Sequence, residues 1–131
     1  MNPRLKLAAL WTSATFCYLY GDYFELYTPG KVEGLLNGDH VLNSPMALLI
    51  ASLIMLIPPL MVCLSILLTP KWNKWLNVAF GSLFTAMMLL IALGSLTPWY
   101  SFYVLLAIVE STLTAVIVWN AFLWPKEEWH A

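Results

Sequence analysis

The residues of this chain best suited to chemistry are two acids in apolar surroundings, Asp22 and Glu110. Glu110 interrupts "AIVESTLTAVIVWN", a stretch that otherwise reads as a membrane-spanning helix. A charged side chain at mid-bilayer costs about 2.5–3.5 kcal/mol on insertion scales. Two roles offset that cost. The carboxyl exchanges a proton or cation, or it stays protonated and pins two helices with a hydrogen bond. No Lys, Arg or His falls within a predicted span near its depth, so desolvation favours the neutral acid. Tyr103, seven residues earlier, and Thr114, four residues later, share its helical face, with Asn120 offset to one side.

Asp22 belongs to a second stripe. Trp11, Thr15, Tyr18, Asp22 and Glu25 recur at spacings of four, three, four and three, which sets them on one face of a helix. Polar residues in lipid turn inward, so Tyr18 and Asp22 are expected to face the interior. Glu25 sits within about one turn of the helix end, where marking the water interface is the better reading. A third feature is Pro58-Pro59, which removes two backbone donors and frees the carbonyls of Ile54 and Met55. A kinked helix offering carbonyls beside a carboxyl makes a proton or cation site, or the kink serves packing alone. Metal ligation is not indicated: Asp39 and His40 in "NGDH" are two ligands in a turn, which do not make a site.

These residues require elements that hold them in a bilayer. The 131-residue chain is 61% hydrophobic and 10% charged, too few charges to cover so large an apolar core with polar surface. A net charge of −1 gives no basic field for nucleic acid. The expected fold is all-α, a single membrane domain over 1–131 forming a four-transmembrane-helix antiparallel bundle. The spans are expected at about Leu5–Tyr27, Pro45–Leu68, Trp75–Leu96 and Trp99–Trp124, with an outer loop at 28–44. The first apolar stretch lacks a small-residue cleavage site and reads as a retained span. Arg4, Lys6, Lys71, Lys74 and Lys126 fall at one end of that bundle and Lys31 at the other, so the positive-inside rule puts both termini in the cytoplasm. Trp11, Trp72, Trp75, Trp119 and Trp124 are read as inner interface anchors. Cys17 and Cys63 are read as small core residues, and Gly81 with Thr85 as a small-residue pair for close helix packing.

Two stretches, "LAALWTSATFCYLYGDYFELYTPG" and "VESTLTAVIVWNAFLWP", resemble an uncharacterised bacterial family of four-helix membrane proteins, a domain of unknown function. The resemblance covers most of the chain, rests on Asp22, Glu110 and the closing Trp119 and Trp124, and implies a multi-pass protein of the inner membrane. It brings no activity. Dual-topology fluoride channels and small multidrug transporters fit less well: the signatures of the first are absent, and the second keep their essential glutamate in the first span. Three functions are therefore weighed. The first is a proton-coupled transporter or channel for a small cationic or amphipathic solute, built as a homodimer because one small bundle offers little pathway. The second is a non-transporting ligand-binding or accessory subunit, holding a small-molecule or lipid-like ligand. The third is an intramembrane enzyme on lipid-like substrates, ranked last because no nucleophile–base pair is visible. No cofactor is called for, and the partners expected are the lipid bilayer and a second copy of the chain.

Overall fold

A computed structural model describes residues 2–40, 42–94 and 96–124. Pro125 and Lys126, used above for the end of the fourth span and the charge asymmetry, lie outside the described residues. Prolines open the long helices. Helix α1 (Pro3–Glu25) starts behind Asn2, whose side chain accepts from the Arg4 amide at 2.9 Å. Helix α3 (Pro45–Met55) starts behind Ser44, whose Oγ accepts from the Ala47 amide at 3.1 Å. Helix α5 (Pro70–Leu93) starts behind Thr69 in extended conformation, and a 3-10 turn, Pro98–Tyr100, leads into α6 (Ser101–Phe122). Proline suits these positions because its fixed φ is helical and its missing N–H is one that a first turn leaves unpaired anyway. The loop at 28–44 folds in part into a short helix, α2 (Lys31–Leu36).

Helix α4 (Ile57–Leu67) continues α3 after a break at Leu56, next to Pro58 and Pro59. The two halves pack differently. α4 buries Pro58, Met61 and Ser65 and lies along α1, whereas α3 buries none of its residues. Helix α6 lies between α1 and α5. A Cβ on Gly21 of α1 would touch Tyr103 and Leu106 near the start of α6, so those two helices run in opposite directions.

Every regular element among the described residues is helical, and three stretches are long and apolar enough to cross a membrane: Pro45–Leu67, Pro70–Leu93 and Pro98–Phe122. α1 has 23 residues, but its tyrosines, threonines and Asp22 dilute its apolar character, so it does not join them. The apolar surface faces outward. Leu19, Leu67, Leu90, Leu93 and Leu105 are each more than 60% exposed, an arrangement that water would penalise and lipid would not. Inside, Leu7, Trp11, Phe84, Met61 and Ile117 are buried completely.

The α5–α6 contact depends on a glycine. A Cβ at Gly81 would lie 2.7 Å from Val118 Cγ2 and 3.3 Å from the Thr114 carbonyl oxygen. One turn on, Thr85 Oγ1 and Thr114 Oγ1 share a hydrogen bond of 2.6 Å. The small-residue pair thus serves packing within the chain. Gly81→Ala is expected to destabilise by about 1–3 kcal/mol through overpacking. Its melting temperature in detergent checks this, and an unchanged value would mean that α5 and α6 separate without cost.

Candidate functional site

All four long helical runs contribute to one cavity of about 210 Å³. Its acidic wall comes from α1 and α6. Tyr18 and Gly21 fall on successive inward positions of α1 with Asp22 at the edge of that face, and Tyr103 and Glu110, two turns apart, lie on α6. Met87, Met88 and Ile91 of α5 face them, with Ala51, Ile54 and Met55 of α3. Ile54 and Met55 are the residues whose carbonyls the two prolines release from helical pairing.

Glu110 is 4% exposed, and its backbone carbonyl accepts from Thr114 Oγ1 at 3.0 Å. Among the described residues nothing donates to its carboxylate. Two hydroxyls nearby in the fold, those of Tyr18 and Ser111, are buried without a hydrogen-bond partner. Buried polar groups are normally satisfied, and an orphaned one asks for a ligand or water. The Gly21 site explains the room for Glu110: a Cβ there would stand 4.0 Å from Glu110 Oε1 and 3.7 Å from the Tyr103 ring. A residue with a long side chain at this position would fill the space in front of the carboxyl.

Asp22 stands one position off the buried line Ala14–Tyr18–Gly21 and is exposed. It lines the cavity and also a second, wider one of about 360 Å³ at the end of the bundle that carries 28–44. In that vestibule Lys31 Nζ pairs with Glu25 Oε1 at 3.1 Å, and the Tyr100 hydroxyl donates to the same oxygen at 3.5 Å. His40 lines it too, with Nδ1 buried and unpartnered. Asp22 is therefore the residue common to both spaces.

The remaining sequence candidates lie elsewhere. Thr114 is fully buried in the α5–α6 contact and Asn120 donates to its own helix at Val116 O, 2.8 Å away, so neither lines the cavity. Glu25 belongs to the vestibule. Pro58 is fully buried while Pro59 faces outward. Trp11, read from the sequence as an interface anchor, is instead fully buried, because its indole N–H has a partner inside.

That partner belongs to a cluster that a third span starting near Trp75 leaves out, since α5 begins at Pro70. Trp11 Nε1 donates to Asn77 Oδ1 at 2.7 Å, and Ser65 Oγ donates to the same oxygen at 3.4 Å. Asn77 Nδ2 donates to Asn73 Oδ1 and O, at 2.6 and 2.8 Å, and Asn73 Nδ2 to the Ser65 carbonyl at 2.6 Å. All four side chains are completely buried. Above this network the fully buried Phe84 stands edge-on to Trp11 at 6.1 Å and against the cavity-lining Tyr18 at 5.6 Å. The signal in the sequence was two amides one turn apart on the face that continues to Gly81.

A family model described as "Family of unknown function (DUF6326)" matches residues 2–131. No curated protein and no solved structure matches the chain.

Proposed function

We propose, for a chain that belongs to this family of unknown function, that its acidic cavity binds a small cationic or amphipathic solute and carries it in exchange for protons, as a small transporter or channel. One observation carries the reading: a carboxyl with no donor, beside an unpartnered tyrosine hydroxyl, faces a cavity lined by all four long helical runs. Groups so arranged are stable when a cation or proton meets the negative charge, and alternation between the two is a coupling mechanism. The shared residue Asp22 gives the solute a route through the vestibule. Phe84 and the amide network then close the opposite end. α3 buries no residue, so in this reading it is the span that moves, with the break at Leu56 as its hinge.

This reading takes α1 as a fourth span, packed along α4 and α6, in an up-and-down bundle forming one domain. Arg4, Lys6, Lys71 and Lys74 then lie at the cytoplasmic face of a bacterial inner membrane, with 28–44 outside. In a background lacking Cys17 and Cys63, a cysteine at Asp39 is expected to react with an impermeant maleimide added to intact cells, and one at Lys71 to stay unlabelled. The opposite pattern would invert the orientation. A homodimer supplies the pathway that so small a bundle lacks.

The test is purified protein in vesicles holding a pH-sensitive dye, with a candidate cation added outside under an imposed pH gradient. Transport is read as a cation-dependent change of internal pH. Binding without any such change supports instead a ligand-holding accessory subunit, a reading that the closed, fully buried amide network favours. Turnover of an extracted lipid would support the enzyme.

A further inference from the structure

We infer that the ligand of the acidic cavity is a small primary alkylammonium, its head held by Glu110, Asp22 and the Tyr18 hydroxyl and its chain lying on Met55, Met87 and Met88. The inference rests on the reading of the cavity as a cation site and gives that cation a chemical form.

The two walls of the cavity differ in what they can recognise. On one side the polar side chains are carboxylates and phenols, and no Lys, Arg or His is among the lining residues. Fixed charge there is negative only, so the ligand must bring positive charge and hydrogen-bond donors. On the other side the lining is methionine, isoleucine and alanine, with no polar side chain. Methionine is flexible and polarisable and moulds itself to alkyl chains of varying shape. A bare metal ion would leave that wall unused. It would also find few oxygens, since a divalent cation takes about six or more.

Head-group chemistry narrows the class further. A quaternary ammonium has no N–H and would leave the Tyr18 oxygen and the Glu110 carboxyl without donors. A primary ammonium offers three donors, matching two carboxylates and one hydroxyl. Size limits the tail. A volume of about 210 Å³ is below the roughly 300 Å³ at which drug-sized pockets begin, so a short alkyl chain fits and a lipid does not. Binding exchanges the proton of the Glu110 carboxyl for the ammonium charge, and the released proton leaves toward Asp22 and the vestibule. The cavity's net charge is then the same before and after.

The experiment measures melting temperature and intrinsic tryptophan fluorescence of the purified full-length protein in detergent. Methyl-, n-butyl- and n-hexylammonium are compared with tetramethylammonium, sodium, n-hexanol and hexanoate at constant ionic strength. The primary ammonium series is expected to stabilise saturably. Apparent affinity should rise about fourfold per added methylene, the equivalent of about 0.8 kcal/mol, while the alcohol and the carboxylate leave the protein unchanged. Glu110→Gln removes the effect. Gly21→Ala, whose Cβ fits at 3.6 Å or more from its neighbours and enters the space in front of the carboxyl, keeps the fold and weakens methyl- and hexylammonium alike. Equal stabilisation by tetramethylammonium or by hexanol, or an effect that survives Glu110→Gln, would overturn the inference. If no alkylammonium binds while sodium or another cation still drives Glu110-dependent proton movement in vesicles, the alkylammonium assignment falls and the cation-coupled function stands. If neither occurs, both fall.

Discussion

Glu110→Gln is expected to reduce cation-coupled proton movement to the level of empty vesicles, at least a hundredfold, while the protein stays folded with an equal or higher melting temperature at neutral pH. Glu110 is 4% exposed and its carboxyl receives no hydrogen bond among the described residues, so an ionised form would lie uncompensated in an apolar site, a state costing several kcal/mol. Glutamine has nearly the same shape and no charge, and the carboxyl makes no side-chain hydrogen bond among the described residues for it to give up. Stability therefore has nothing to lose. Coupling is lost because an amide neither releases a proton nor balances a cation. Glu110→Asp keeps the titratable group one methylene further from the cavity and is expected to retain part of the flux. If Gln unfolds the protein and Asp does not, an ionised carboxylate is part of the fold and the exchange mechanism is wrong.

Much of this site could be read before any coordinates, for a physical reason. In lipid an acid or phenol must face inward, so helical periodicity directs Tyr18, Tyr103 and Glu110 to one interior, while Asp22, expected there too, stands exposed at its edge. The same periodicity gives the helical fold class and the apolar spans. It overreaches where polar residues have local partners: Thr114 and Asn120 satisfy themselves on neighbouring turns and on Thr85, and so need no cavity. It also falters at helix ends. The expected spans leave Pro70 and Pro98 in the connections between them, but each begins a helix or helical turn. Starting α5 at Pro70 rather than near Trp75 carries Asn73 from a loop into the interior. Trp11 misleads in a related way. Tryptophan is the usual interface anchor, and only a buried acceptor on another helix, invisible along the chain, draws it inside.

That acceptor makes Asn77 the residue whose loss should most damage the fold. Its amide is the hub of the network: Oδ1 accepts from Trp11 and Ser65, and Nδ2 donates to Asn73, tying α1, α4 and α5 together at one end. Asn77→Ala strands the Trp11 N–H and the Asn73 oxygen, and leaves a void against completely buried neighbours. An unsatisfied buried group costs about 1–3 kcal/mol, but hydrogen bonds between membrane helices average only about 0.6 kcal/mol, because chains unfolded within lipid find other partners. With two stranded groups and a void, a loss of roughly 2–4 kcal/mol follows. Asn77→Asp keeps an acceptor for Trp11 but gives up the donor to Asn73. A double-mutant cycle with Trp11→Phe separates the bond from the packing. If the indole N–H is what Asn77 holds, Asn77→Ala costs clearly less in the Trp11→Phe background than in the native one. Strictly additive losses would mean the bond contributes nothing. The functional readout is independent of stability. If this network and Phe84 close the bundle opposite the vestibule, as the proposed function requires, Asn77→Ala vesicles should leak protons without any cation added. A variant that melts lower but stays proton-tight would show that the network holds the helices together and does not act as the inner gate.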